Sequence, residues 1–408
     1  MEEMAVEILK KFNQEHIIDW MNKLNNEEKN KLVEQVLNLN ISQVVDLYNN
    51  LSKKFEIGDK KIEKISVTDI DKLSKDDFEN HKNKGIEIIK NGKYAVVTMA
   101  GGQGTRLGHK GPKGTFKVDL KDGDKYLFQI IVESLQKANE RYGVIIPWYL
   151  MTSEENNDQT LEFLEEHNYF GYPKEKVKLF KQGKAPLIST EGKLLIGKDK
   201  LIKEASDGNG SIYKSLKVDG MLDDMKNNNI EWIFVGGVDN ILLKIVDPLL
   251  VGITVNQNNK IASKSVVKTN PRERAGVFCK IDGKPGIIEY SEIPEEMVEE
   301  VDENGELVFG DVNILSHLYN IDALGKMADK VMPYHIAVKK SEYLDENGNL
   351  VVPEDKNVYK FESFIFDAFS NFDDISIFTP FSKILEVWLR VLIIIHSPQI
   401  IGRDIFEN

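Results

Sequence analysis

The 408-residue chain is 41% hydrophobic and 29% charged, an ordinary balance for two or three folded domains or one large domain with additions. Its net charge of −13 argues against nucleic-acid binding, which calls for a basic surplus, and obliges any anionic substrate to be met by local cations or a metal. The single cysteine, Cys279, excludes an internal disulfide and a cysteine-rich zinc site.

The acidic opening MEEMAVEILK lacks the basic-then-apolar pattern of a secretion signal. The apolar run ILEVWLRVLIII (384–395) is too short to span a bilayer and carries Glu386 and Arg390. The expectation is therefore a cytoplasmic protein with no membrane partner. Residues 1–54 read as helices, with Ile8, Leu9, Phe12 and then Leu32, Val33, Val36, Leu37 at helical spacing and Asn26 as a cap. Residues 55–80 read as a charged connector. From about residue 85, strands alternate with helices. The strands are Tyr94–Met99, Trp148–Met151, Val177–Phe180 and Ile230–Val235; helical patterns cover Leu127–Tyr142 and Ile212–Lys226. That alternation predicts an α/β fold with a mostly parallel sheet, and ligands at the carboxyl ends of its strands. Asp-Gly and Asn-Gly signals in 276–290 and 342–353 predict hairpins added to the sheet.

Directly after Tyr94–Met99 comes AGGQGTRLGHKGPKG. Glycines let backbone N–H groups close around an anion, Arg106 offers a planar fork of donors, and Lys113, fixed behind Pro112, adds a compact charge. The dinucleotide fingerprint fails because Leu107 stands where its third glycine belongs. The phosphate-loop pattern fails because Lys113 occupies the sixth position counted from Gly108. A nicotinamide-dependent oxidoreductase is thus disfavoured.

The stretch MAGGQGTRLG…GPKG resembles the nucleotidyltransferase loop of the UDP-sugar pyrophosphorylases. PWYLMTS (147–153), KQG (181–183), DGNGSIY (207–213), GGVDN (236–240), IIEYSEI (287–293), NILSHLY (313–319) and FESFIFDAF (361–369) resemble further blocks of that family, in family order. The resemblance implies a glycosyltransferase-A-like nucleotidyltransferase fold: a helical segment over 1–85, a catalytic domain over 86–370 and an aberrant tail over 371–408. It also implies the reaction of UTP with a sugar 1-phosphate to give a UDP-sugar and pyrophosphate. Two repelling anions must meet, so Mg2+ is expected as cofactor.

By the same resemblance, Met99, Ala100, Gly101, Gly102, Lys113, Gln182 and Gly208 bind the nucleotide, and Arg106 and Lys113 stabilise its developing charge. Asp239 holds the metal, with an Asx turn through Asn240 as the alternative. Asn209, Gly276, Glu289, Asn313, Phe364 and Phe366 surround the sugar. The Phe361, Phe364 and Phe369 set also suits a plain helix core. The transfer needs no general base, since the sugar phosphate is already ionised; His109, His317 and His335 are therefore taken as structural, and Lys339 and Lys340 as solvated.

DGNG followed by an aromatic, and EYSEI, resemble the N-acetylhexosamine branch, so N-acetylglucosamine 1-phosphate is the expected sugar, with glucose or galactose 1-phosphate next. After FDAFSNFDD the resemblance breaks into an isoleucine-rich stretch and resumes near SP (397–398) and RDIFEN. This suggests a shifted reading frame across roughly 375–402, in which Lys383 is no safe replacement for the family's lysine there. Translating the coding DNA in its other two frames tests this; absence of the charged family motif R-E-E-E-F from both sinks it. A nucleotide-sugar binder with weakened catalysis is the rival class. Oligomeric state is not legible in the sequence.

Overall fold

The structure, a computed structural model, describes residues 1–51, 60–120 and 123–379. They fall into two compact units assembled from interleaved segments. The larger comprises Ile57–Gln182, Ile212–Lys330 and Phe366 onward; the smaller comprises Met1–Glu56, Gly183–Ser211 and Val331–Ile365.

The larger unit is built on an 11-stranded sheet. Across it run Thr68–Asp69, Ser376–Thr379, Ile261–Val267, Asp311–Asn320, Trp232–Gly237, Tyr94–Met99, Trp148–Thr152 and Val177–Lys181. Tyr94–Met99 is parallel to both neighbours, Trp232–Gly237 and Trp148–Thr152, and the latter is parallel to Val177–Lys181. All six side chains of Tyr94–Met99 are buried, as a strand covered on both faces requires. The chain leaves this strand toward one neighbour and later returns to the other, which makes its carboxyl end a topological switch point. Asp311–Asn320 runs antiparallel to Trp232–Gly237 and Ile261–Val267, so the sheet is mixed on that side.

The helix Leu127–Tyr142 has its predicted bounds. Leu127, Phe128, Ile131, Val132, Leu135, Ala138 and Tyr142 form its buried stripe, and Gly143, at φ 68°, ends it. The predicted helix 212–226 is instead two helices, Ile212–Val218 and Met221–Asn227, because Gly220 sits in the left-handed region at φ 72°. The first predicted hairpin forms, Val277–Ile281 with Lys284–Ile288, and joins the sheet. The connector 55–80 contributes short strands at Ile62–Glu63 and Thr68–Asp69 and the start of a helix, Lys75–Lys90. Ser376–Thr379 pairs in parallel with Ile261–Val267; the isoleucine-rich stretch beyond Thr379, Lys383 included, lies outside the described residues.

In the smaller unit, the helices Glu2–Lys11, Glu15–Met21, Asn26–Asn38 and Ile41–Asn49 pack with segment 183–211. Ala5, Leu9, Leu32 and Val36 share a core with Leu194, Ile196 and Ile202. The buried amide of Gln14 bridges to that segment, donating to Gly192 O at 2.9 Å and accepting from Leu194 N at 2.8 Å. The cap of the third helix is Asn25, not Asn26: its side chain accepts from Glu28 N. The second predicted hairpin, Tyr343–Leu344 with Leu350–Val351, forms its own two-stranded sheet and does not extend the large one. Phe361 is buried on the strand Val358–Glu362 and not in a helix. Among the described residues no helix is long and apolar enough to cross a membrane.

Candidate active site

Strand direction places the ends of Tyr94–Met99, Trp148–Thr152, Val177–Lys181 and Trp232–Gly237 on one edge of the large sheet. Met99 and Ala100 are buried at that edge, with Ala100 N donating to Met151 O at 2.7 Å. The chain then leaves the sheet and folds back on itself. Gly104 N donates to Gly111 O at 2.8 Å and Lys113 N to Gly102 O at 3.1 Å. This return brings the Lys113 stem over Gly102, with Cε 3.5 Å from where a Cβ would stand. Arg106 lies in the Gly104–Leu107 turn; its side chain is outside the described part of the structure.

Gln182 follows the strand Val177–Lys181, its N–H donating to Thr152 O at 2.8 Å. Its side chain reaches Gly101 so closely that a Cβ there would lie 2.4 Å from Gln182 Oε1. Only glycine admits this approach. Gly101→Ala is expected to displace the amide and weaken ligand binding at this edge about tenfold with little change in thermal midpoint, since the clash moves one side-chain end and opens no cavity. Nucleotide-binding calorimetry beside a melting curve checks both.

Asp239 lies just past the end of Trp232–Gly237. Its Oδ2 accepts from Lys113 Nζ at 2.7 Å, with the two side chains 32% and 22% exposed. The residue that turns on itself is its neighbour: Asn240 Oδ1 accepts from Leu242 N.

Gly276, Glu289 and Asn313 also come together in this unit. Asn313 N donates to Gly276 O at 2.9 Å, and a Cβ on Gly276 would stand 2.9 Å from Glu289 Oε1. Asn313 is set by a bulge: between Ser263 and Ser265 the pairing with Asp311–Asn320 slips, and Leu315 takes φ 56°, rare for a leucine. Asn313 Oδ1 supports the bulge by accepting from Leu315 N at 2.9 Å, which leaves its Nδ2 to donate to a ligand oxygen.

The smaller unit gathers Gly208, Asn209 and Phe364. Gly208 has φ 89°, and a Cβ there would lie 2.2 Å from Ser363 O, so the two backbones meet where only glycine fits. Asn209 Oδ1 accepts from Ile365 N at 2.9 Å, again leaving the amide nitrogen as donor. The Phe364 ring lies 4.6 Å from His335. Phe366 belongs to the larger unit and is buried there.

Asn156 escaped the sequence reading. Fully buried, it accepts from Ser153 N at 2.8 Å and donates to Ala100 O at 2.9 Å, stitching the start of the glycine loop to the end of the next strand. Nothing in SEENND marks it, because its partners are chosen by strand order. Asn156→Ala strands a buried N–H and a buried carbonyl, so a loss of about 1–3 kcal/mol in unfolding free energy is expected, read by denaturant titration. His317 is fully buried, and burial pushes its pKa down to about 3, so the ring is neutral; Nδ1 meets Ser263 Oγ at 2.7 Å.

Among the described residues, no three or more histidine, cysteine, aspartate or glutamate side chains gather to hold a metal. One carboxylate beside a lysine suits a cation that arrives with nucleotide phosphates, since Mg2+ binds through one or two carboxylates, phosphates and waters.

Residues 41–378 match the family described as UTP–glucose-1-phosphate uridylyltransferase. The chain is 38% identical over 302 residues to UDP-N-acetylhexosamine pyrophosphorylase-like protein 1 of Xenopus tropicalis, covering 72% of this chain and 59% of that protein. It is 32% identical over 385 residues to UDP-N-acetylglucosamine diphosphorylase 2 of Arabidopsis thaliana, covering 89% and 75%. The uridine diphosphate N-acetylglucosamine pyrophosphorylase of Trypanosoma brucei superimposes with a TM-score of 0.77 at 28% identity, over 93% of this chain and 78% of that one. The matches to the first curated relatives span 58–59% of those proteins' length.

Proposed function

Because the chain belongs to the UTP–glucose-1-phosphate uridylyltransferase family, the UDP-sugar pyrophosphorylases, we propose that it joins UTP to N-acetylglucosamine 1-phosphate, giving UDP-N-acetylglucosamine and pyrophosphate. The observation that carries this reading is the Lys113–Asp239 contact at 2.7 Å, set beside the Gly101–Gln182 approach at the carboxyl edge of parallel strands.

A sugar-phosphate oxygen attacks the α-phosphorus of UTP and pyrophosphate leaves in line. The nucleophile is already an anion, so the protein has to position it and neutralise charge. The backbone N–H groups of Gly101 and Gly102 and the Lys113 ammonium would face the triphosphate, and the family resemblance assigns Arg106 as a second cation. Gln182 reads the uracil imide, donating and accepting through one amide. Asp239 would hold Mg2+, which supplies charge neutralisation between the two anions when bound. In the larger unit Asn313 Nδ2 would donate to sugar or acetamide oxygens and Glu289 would accept from hydroxyls, with Gly276 and Phe366 also assigned to the sugar; in the smaller unit the same reading assigns Asn209 Nδ2 and Phe364 to the sugar and Gly208 to the nucleotide. A cytoplasmic location belongs to the same reading.

The relatives' names favour the N-acetylated sugar, whereas the family description names glucose 1-phosphate. An acetamide pocket discriminates by about 1–3 kcal/mol, so glucose 1-phosphate is the second substrate to test. Pyrophosphate release is measured with UTP, Mg2+ and a panel of sugar 1-phosphates. Fastest release with N-acetylglucosamine 1-phosphate supports the proposal. UDP-sugar binding without release replaces it with a binder, and neither outcome with any sugar removes it.

A further inference from the structure

The glycine loop contains a histidine for which uridylyl transfer has no chemical use. The loop nevertheless folds around its ring. A Cβ on Gly104 would stand 2.8 Å from His109 Cβ and Cδ2, and one on Gly111 would stand 3.3 Å from His109 Nε2. Phe116 meets the imidazole edge-on, 5.9 Å between centroids. Two of the loop's glycines thus make room for a side chain instead of a phosphate.

The ring is also bonded with a definite polarity. Thr115 Oγ1 donates to Pro112 O at 2.9 Å, and His109 Nε2 lies 2.7 Å from the same Oγ1. The hydroxyl has one proton, spent on the carbonyl, so Nε2 must carry the proton of the second bond. The result is a relay of donors, His109 to Thr115 to the Pro112 carbonyl, ending one residue before Lys113. The backbone around it is closed by His109 N to Gly104 O at 3.1 Å and Lys113 N to Gly102 O at 3.1 Å.

We propose that His109, acting through Thr115, is a positioning residue for Lys113: it fixes the Pro112–Lys113 turn so that Nζ stands where it meets Asp239 and the nucleotide phosphates. This rests on the uridylyl-transfer reading of Lys113. A lysine side chain has a flexible four-carbon stem and loses much rotamer freedom when fixed. Anchoring its backbone is the economical way to aim it, and a small misplacement at such a site is costly in rate.

The test compares Thr115→Val, which keeps shape and removes the hydroxyl, with Thr115→Ser, which restores it, and with His109→Ala alone and combined with Thr115→Val. Two readouts are taken on the full chain: the Kd for UTP by calorimetry, and the acylation rate of Lys113 by a water-soluble active ester, followed by peptide mass spectrometry. Thr115→Val is expected to raise Kd about tenfold or more and to speed Lys113 acylation, Thr115→Ser to restore both, and the double variant to match the worse single one. Unchanged Kd and acylation in Thr115→Val, or additive effects in the double variant, overturn the proposal, as does a lowered melting midpoint with both readouts unmoved. Should wild type bind no UTP while Lys113 acylation still responds as stated, the positioning role stands and the uridylyl reading falls.

Discussion

Asp239→Asn is expected to lower kcat for the proposed uridylyl transfer about a hundred- to a thousandfold, the scale on which removal of one aimed electrostatic group acts, while tightening the binding of metal-free UTP severalfold. The two effects have opposite signs because the carboxylate has two neighbours to serve. It sits 2.7 Å from Lys113 Nζ, so it cancels much of the charge that the lysine would show to a triphosphate. A bare nucleotide entering the site meets a neutralised cation and a nearby anion. A nucleotide carrying a divalent cation offers the carboxylate a partner, and the lysine is then available to phosphate. Asparagine keeps the shape and removes the anion, so metal-free UTP sees the full ammonium. Both partners are partly exposed, so the gain is limited to a small factor and shrinks in high salt. Lys113→Gln moves the other way, weakening UTP with or without metal. Calorimetry in chelator, beside pyrophosphate release in Mg2+, reads both. Unimpaired turnover in Asp239→Asn, or no gain for metal-free UTP, contradicts the arrangement.

The parts of this site legible in the sequence were those governed by local rules. Tyr94–Met99 is a short apolar run ended by glycines, and Leu127–Tyr142 carries an unbroken helical stripe; both have their predicted ends. The break at Gly220 was missed because apolar spacing continues across it, whereas the backbone turns left-handed there. The bulge at Leu315 was hidden for the opposite reason: leucine rarely takes positive φ, and only pairing with two strands at once holds it there. The same holds for Asn156, an ordinary polar residue until strand order brings the Ala100 carbonyl to it. The glycines of the loop were legible as a group, but their division of labour was not. Gly101 clears space for Gln182, while Gly104 clears space for His109. The grouping of residues 1–51 with 183–211 rests on contacts such as Gln14 with Gly192, separated by 178 positions, which no window of sequence contains.

Lys264→Ala is expected to cost about 3–5 kcal/mol of unfolding free energy, the scale on which breaking a buried ion pair acts. Lys264 is 3% exposed on the strand Ile261–Val267, and its Nζ lies 2.6 Å from Asp247 Oδ2. Asp247, 4% exposed, also accepts from Lys244 Nζ and caps the helix Pro248–Asn256 through Leu249 N. Burial pushes the Asp247 carboxyl up, but Lys264 and Lys244 outweigh it and hold the group at about 2. A carboxyl held below its ordinary 3.8 gives stability that is present in full above that value and is lost as pH falls toward 2. Without Lys264 the described donors left to the carboxylate are Lys244, which is exposed, and Leu249 N, so its folded-state pKa rises toward the ordinary value and the stability this group loses on acidification shrinks: the deficit of the variant is largest at pH 7 and narrows toward pH 3. The cost comes from the stranded charge and not from lost attraction. Lys264→Met should therefore be nearly as damaging as Lys264→Ala despite filling the space, and Asp247→Asn combined with Lys264→Met should recover part of the loss. Denaturant titrations at pH 7 and at steps down to pH 3 measure all four chains. Equal stability of Lys264→Met and wild type would mean that the pair contributes no more than its packing.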